Sequence, residues 1–194
     1  ALGHSDATYE EALACVNAGA DIFVHTYNGM SGLHHREPGM VGAAMTTHGT
    51  YAEAICDGHH LNPIAVRALV NAKGYDHTVL ITDCMRAGGM PNGQYKLGDF
   101  PVVVEGGTAR LMDESHSLAG SILRLFEGVK NVFDWGIVSA EEAVRMASEN
   151  PARSCGIDDV CGFIRPGYDA DFIVVTKDLQ LEETFLGGKS VYKA

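Results

Sequence analysis

The sequence predicts an α/β protein in which β/α units surround a parallel sheet and give way, near the C-terminus, to antiparallel β structure. Three observations lead there. Short apolar runs alternate with amphipathic helical segments over the first two-thirds of the chain. Each of those runs stops abruptly at polar residues, and from Ala170 onward three short strand-like runs succeed one another with turns too tight to hold a helix. A chain of 194 residues with 46% hydrophobic and 20% charged residues can bury one sizeable core with a small second layer.

Thr8 with Glu11 makes a capping box for a first helix that Gly19 can end in a left-handed conformation. Asp21 to Val24 reads as a strand, followed by His25, Thr26, Tyr27 and Asn28. Ala52 to Cys56 reads as the next, followed by Asp57, Gly58, His59 and His60. Asn62 then supplies an N-cap with Pro63 at the first helical position, feeding a helix to about Lys73. Thr78 to Thr82 is a third strand, ending at Asp83. Pro101 to Val104 and Ala109 to Met112, joined across Gly106 and Gly107, predict a β-hairpin inserted near residues 94–112. Ile122, Leu125, Phe126, Val129 and Phe133 give a buried stripe at helical spacing. Ser139 with Glu142 repeats the capping box for a helix ending near Glu149. Phe172 to Val175, Glu182 to Leu186 and Lys189 to Tyr192 complete the chain as antiparallel β, the last two joined across Gly187 and Gly188. No internal repeat or low-complexity linker interrupts this order.

Composition excludes several classes of function. A formal net charge of −11 argues against a broad nucleic-acid surface, which needs clustered Lys and Arg, yet leaves room for an anionic small substrate met by one well-placed Arg. No stretch reaches the roughly 18 apolar residues of a membrane span, and the first residues lack the pattern of a signal peptide. A cytoplasmic location is therefore expected. The five cysteines, Cys15, Cys56, Cys84, Cys155 and Cys161, lack Cys-x-x-Cys spacing and are expected to be free thiols acting as small buried apolar residues.

In parallel sheets, ligands sit beyond the carboxyl ends of the strands, so polar residues that directly follow an apolar run are the first candidates for chemistry. His4, His25, His60 and Asp83 all stand in such places. Imidazoles on neighbouring strand ends can share one divalent metal, and an aspartate on a further strand end can move the proton of a hydrolytic water. Each residue also has a plainer reading: a strand-end histidine can be a hydrogen-bonded core residue, and Asp83 can cap a turn. Four such residues in successive units favour the chemical reading. Arg36 can bind a phosphate or carboxylate by paired hydrogen bonds, or be a solvated loop residue; Asn28 and Gly29 offer an amide and an uncrowded backbone N–H to an oxyanion. His34, His35, His48, His59, His77 and His116 read as surface or packing residues.

Gly3-His4-Ser5-Asp6-Ala7-Thr8, His25-Thr26-Tyr27-Asn28-Gly29-Met30, Arg36-Glu37-Pro38-Gly39, Asp57-Gly58-His59-His60 and Thr82-Asp83 occur in an order that resembles the N-acetylglucosamine-6-phosphate deacetylases. Ser117-Leu118-Ala119-Gly120-Ser121, Asn150-Pro151-Ala152 and Gly167-Tyr168-Asp169-Ala170-Asp171 extend the resemblance over essentially the whole chain. The last two of these runs mark the amidohydrolase superfamily in general. The resemblance implies that His4 and His25 bind a divalent cation, zinc or another first-row transition metal, and that Asp83 is the acid/base. It further implies that Asn28, Gly29, Arg36 and His60 hold a phosphorylated amino sugar, with Arg36 able to reach across a dimer, and that Leu118, Ala119 and Gly120 line the sugar site. The implied reaction hydrolyses the acetamide of N-acetylglucosamine 6-phosphate to glucosamine 6-phosphate and acetate.

By the same resemblance, residues 1–168 correspond to the C-terminal half of a (β/α)8 TIM barrel and residues 169–194 to strands of a small β-sandwich. A whole barrel takes about 250 residues. The chain is thus expected to be part of a longer enzyme, steadied by a complementary N-terminal half or by self-association as a homo-oligomer. Two histidines without the glutamate ligand of the family are expected to hold metal poorly. The alternatives are a non-catalytic half-barrel and another amidohydrolase such as a cyclic amidase or deaminase; the role of Arg36 separates the latter from the deacetylase.

Overall fold

The computed structural model describes residues 1–194. A parallel sheet forms where the apolar runs stand: β1 (Ile22–Phe23), β2 (Tyr51–Ile55) and β3 (Thr78–Ile81) lie in that order, each paired in parallel with the next. Isolated parallel bridges extend it at both edges, Leu2 against Phe23 on one side and Ser121 against Cys84 on the other. The chain therefore delivers successive strand ends to one edge of the sheet.

The helical start signals act as their chemistry requires. In α1 (Tyr9–Asn17), Glu11 N donates to Thr8 Oγ1 at 3.2 Å and Thr8 N to Glu11 Oε2 at 2.8 Å. In α3 (Pro63–Lys73), Ile64 N donates to Asn62 Oδ1 at 2.9 Å. In α5 (Ala140–Ala147), Ser139 and Glu142 close the second box. That helix stops short of Glu149, and α6 (Glu149–Ser154) restarts after Ser148. The break arises from Pro151, which has no N–H to give to the preceding turn.

Two elements escape the pattern reading. α2 (Gly39–Thr46) contains two glycines, lacks a side-chain cap and is buried over six of its eight residues, so it shows no amphipathic period. Its first turn is held instead by Ser31, whose Oγ accepts from Met40 N at 2.8 Å and whose carbonyl accepts from Val41 N at 3.2 Å. The insertion contains the expected hairpin, β5 (Phe100–Glu105) with β6 (Thr108–Leu111), and extends it to a three-stranded meander through β4 (Gly93–Leu97), which pairs antiparallel with β5. Gln94 and Lys96 hide β4 from a hydrophobic reading, because its exposed face is polar and β5 supplies its register.

The main core joins β2, β3, α3 and α5 to α4 (Leu125–Asp134) through Ala52, Leu69, Leu80, Val132, Ala143 and Met146. The predicted stripe on α4 is only partly right: Val129 is buried and Phe126 and Phe133 pack half-buried against the core, whereas Leu125 is 39% exposed because the helix begins there and its first turn faces solvent. The meander packs Val102, Val104 and Ala109 onto Met85, Ala87 and Ala119, which places it beside the segment after β3. β7 (Phe172–Val175), β8 (Leu181–Leu186) and β9 (Lys189–Lys193) form a separate antiparallel sheet whose last strand is exposed throughout. No helix is long and apolar enough to cross a membrane. All five cysteines are free, but only Cys56 is buried, its thiol pushed up to about 12 by that burial; Cys15, Cys84 and Cys155 lie at the surface and Cys161 is half-buried, contrary to the expectation that all pack inside.

Candidate active site

At the carboxyl edge of the parallel sheet the backbone adopts conformations that L-residues avoid. His4, His25 and Asp83 have φ of 43°, 31° and 48°, in the left-handed region, where backbone strain collects at functional sites. The turn at His25 is held from both sides. Its N–H donates to Glu53 Oε2 at 3.1 Å, and its carbonyl accepts from Asn28 N at 3.0 Å and Asn28 Nδ2 at 3.1 Å. Beyond β3, Ser121 N donates to the Asp83 carbonyl at 2.8 Å and Met85 N to the Ser121 carbonyl at 2.9 Å, while Ser121 Oγ donates to the Thr82 carbonyl. These bonds draw Leu118, Ala119 and Gly120 against the end of β3. Ala119 N is tied in turn to the meander through the Ala109 carbonyl at 3.0 Å.

The result is one cavity of about 530 Å³. His4, His25, His60 and Asp83 line it, as do Asn28 and Gly29. Leu118, Ala119 and Gly120 form part of its opposite side, together with Leu97, Phe100 and Leu111 of the meander. The structure thus brings together every candidate residue except Arg36. Arg36 is exposed on the loop before α2, with its Nη1 2.6 Å from His35 Nε2, and does not border the cavity. The other histidines lie away from it: His34, His35, His48, His59 and His116 are exposed and His77 is half-buried.

His4 and His25 meet edge to face, with ring centroids 4.6 Å apart and planes at 89°. His25 is 8% exposed, and its Nδ1 is buried without a hydrogen-bond partner. A buried ring nitrogen left bare is costly unless something outside the protein's own groups meets it. Gly29, at φ +61°, packs so close to His4 that a Cβ would lie 2.5 Å from His4 Nδ1. Two crowded imidazoles, one with a free buried nitrogen, suit a first-row divalent metal that favours nitrogen donors. No group of three or more His, Cys, Asp or Glu side chains stands close enough to hold an ion, so the two imidazoles by themselves make no complete ligand set.

Sequence reasoning passed over Glu53. It sits in the middle of an apolar strand, two residues before Ile55, and the alternation of a strand puts both on the face that borders the cavity. A lone carboxylate in Ala-Glu-Ala-Ile was the available signal. Burial raises its pKa, against the hydrogen bond from His25 N and the charge of His25; the Asp83 charge raises it further.

A sequence profile of the amidohydrolase family matches residues 5–191. The chain is 46% identical over 193 residues to the N-acetylglucosamine-6-phosphate deacetylase of Vibrio furnissii, covering 100% of this chain and 48% of that protein. It is 44% identical over 188 residues to the N-acetylgalactosamine-6-phosphate deacetylase of Escherichia coli O157:H7, covering 97% and 49%. Its mixed α/β fold superposes on the crystal structure of the N-acetylglucosamine-6-phosphate deacetylase from Thermotoga maritima with a TM-score of 0.91 at 36% identity, over 99% of this chain and 52% of that one. A mutant of the Mycobacterium smegmatis enzyme, in complex with N-acetyl-D-glucosamine-6-phosphate, matches with a TM-score of 0.89 at 31% identity, over 97% and 50%. The chain spans about half the length of the curated relatives it matches. With strand-end histidines and an aspartate gathered at one cavity and a profile match over nearly its whole length, the chain belongs to the amidohydrolase family.

Proposed function

We propose that this chain forms the C-terminal half of a (β/α)8 barrel, residues 1–168, with residues 169–194 belonging to a small β-sandwich, and that it serves metal-dependent hydrolysis of N-acetylglucosamine 6-phosphate to glucosamine 6-phosphate and acetate. The observation that carries this reading is the perpendicular contact of His4 and His25 on the wall of the cavity that Asp83 also lines. The names of the similar proteins supply the substrate class, a 6-phosphorylated N-acetylhexosamine.

His4 and His25, with a third ligand from outside these residues, would hold a divalent metal, which would supply Lewis acidity to the hydrolysis. Asp83 takes the proton of the attacking water and returns it to the departing nitrogen. The water oxygen adds to the acetyl carbon, the C–N bond breaks, and acetate and a free amine remain. Asn28, Gly29 and His60 hold the sugar phosphate, and Leu118, Ala119 and Gly120 bound the sugar. Arg36, exposed and outside the cavity, serves the phosphate in the site of a second copy.

The test is acetate release from N-acetylglucosamine 6-phosphate and from its galactosamine epimer, by the chain alone and co-expressed with the first half of the Vibrio furnissii deacetylase. Turnover is expected in the combined protein, and Asp83→Asn should lower kcat by about 10²- to 10⁴-fold, the usual worth of a general acid/base. Turnover unaffected by Asp83→Asn would remove Asp83 from the mechanism.

A further inference from the structure

The turn after β2 carries an arrangement that the metal site does not explain. Asp57 Oδ1 accepts from both His59 N and His60 N at 2.8 Å, and Asp57 Oδ2 lies 2.7 Å from His60 Nδ1. The two side chains are 9% and 6% exposed. The residue before them is pinned as well, since Asn131 Nδ2 of α4 donates to the Cys56 carbonyl at 2.8 Å. Capping a turn needs only the first two of these bonds; the third acts on the imidazole. A carboxylate only accepts, so Nδ1 carries the hydrogen, and Nε2 is the ring nitrogen left to the cavity that His60 lines.

We infer that Asp57 is a positioning residue: its carboxylate accepts from Nδ1–H and fixes the direction of the His60 ring, and with a second hydrogen on Nε2 the ring, as the imidazolium, donates from Nε2 to the substrate phosphate. This rests on the reading of His60 as a phosphate contact. It resembles the arrangement by which an outer carboxylate orients an imidazole toward a ligand. The carboxylate is poised for it. Burial pushes the Asp57 carboxyl up, but the hydrogen bonds from the His60 ring, His60 N and His59 N, with the charge of His60, outweigh burial and leave its pKa below the ordinary value. His59 provides an internal control, because its backbone shares the same cap while its ring is exposed.

The experiment compares calorimetric affinities for N-acetylglucosamine 6-phosphate and for unphosphorylated N-acetylglucosamine in the combined protein. Asp57→Asn keeps an oxygen for the two backbone N–H groups but offers no carboxylate to the ring. It should weaken the phosphorylated sugar at least about tenfold and the plain sugar less than about twofold, the loss expected of one charge-assisted hydrogen bond. His60→Gln, which leaves the Asp57 cap in place, should give the same selective loss, and Asp57→Asn should add nothing in that background. His59→Gln should change neither affinity. Long-range ¹⁵N–¹H spectra should show the His60 Nδ1 hydrogen in the parent and its redistribution in Asp57→Asn. The inference is overturned if Asp57→Asn leaves the ratio of the two affinities and the His60 spectrum unchanged, or if its effect persists undiminished in the His60→Gln background. A parent protein that binds both sugars equally, while its spectrum still shows the Nδ1 hydrogen, would sink the phosphate role of His60 and spare its orientation by Asp57.

Discussion

His25 and His60 are imidazoles at the ends of adjacent strands, one β/α unit apart and on the wall of one cavity, yet the protein holds them in opposite ways. At His25 the backbone is gripped, by Glu53 and Asn28, and the buried Nδ1 is left bare. At His60 the ring itself is gripped, through Nδ1, by a carboxylate the protein supplies. A ring that the fold completes is a fixed tool; a ring that the fold leaves short of a partner is half of a binding site. The difference arises in the turns that leave the two strands, an Asp-Gly turn after β2 and a left-handed histidine soon after β1.

The sharpest way to break this comparison is to remove each ring in turn. On the proposed function, His25→Gln should weaken divalent-metal binding beyond the roughly 100-fold that outer-shell partners reach, because the proposal makes this ring a ligand itself. It should leave the thermal stability of the metal-free protein near that of the parent, since Nδ1 has no protein partner to lose. His60→Gln should do the reverse, holding metal affinity and costing about 1–3 kcal/mol of stability as Asp57 Oδ2 loses its buried partner. Metal titration and thermal unfolding of the two variants decide it. If both lose metal alike, the two rings belong to one centre and the contrast is void.

That contrast was only half visible in the sequence. His4, His25, His60 and Asp83 stand out because each follows an apolar strand, and the helices after Thr8, Asn62 and Ser139 stand out because their caps are local. Local signals survive folding; relations between distant segments must await it. α2 has no period to read and relies on Ser31 from an earlier loop, and β4 gains its register from β5. The direction of the loop bearing Arg36 is set by how α2 packs, so its separation from the cavity could not be read from spacing. Glu53 was within reach, as a charge on the inward face of an apolar strand, but its hold on the His25 N–H spans 28 residues.

A subtler probe uses two glycines, one beside each ring. Gly29→Ala and Gly58→Ala meet the same backbone penalty, about 1–2 kcal/mol for a side chain at positive φ, since their φ values are +61° and +78°. Their surroundings differ. A Cβ on Gly29 would press into the His4 ring, whereas on Gly58 it would meet only Trp135 Cζ2 at an ordinary 3.6 Å. Gly29→Ala should therefore also lower metal affinity, by about 10- to 100-fold as the loss of an outer-shell partner does, and Gly58→Ala should not. Equal metal titration curves for the two would mean that the His4 ring yields without consequence.

The smallest effect concerns acid. The Asp57 carboxyl titrates below its ordinary value of 3.8, so the folded state favours its charged form. Its stabilising contribution is full above that ordinary value and is lost as pH falls through the lowered one. The Glu53 carboxyl, raised by burial from an ordinary 4.5, works with the other sign: its contribution is full below 4.5 and fades as pH rises through the raised value. Urea unfolding of the metal-free protein, stepped downward from pH 7, should then show Asp57→Asn with a flatter acid limb than the parent, the two curves converging at low pH. Glu53→Gln should diverge from the parent on the neutral side instead, gaining relative stability as pH rises. The carboxylate that completes a ring and the carboxylate that steadies a backbone would thereby be told apart by the slope of stability with pH, and identical slopes for the two variants would erase the distinction drawn between His60 and His25.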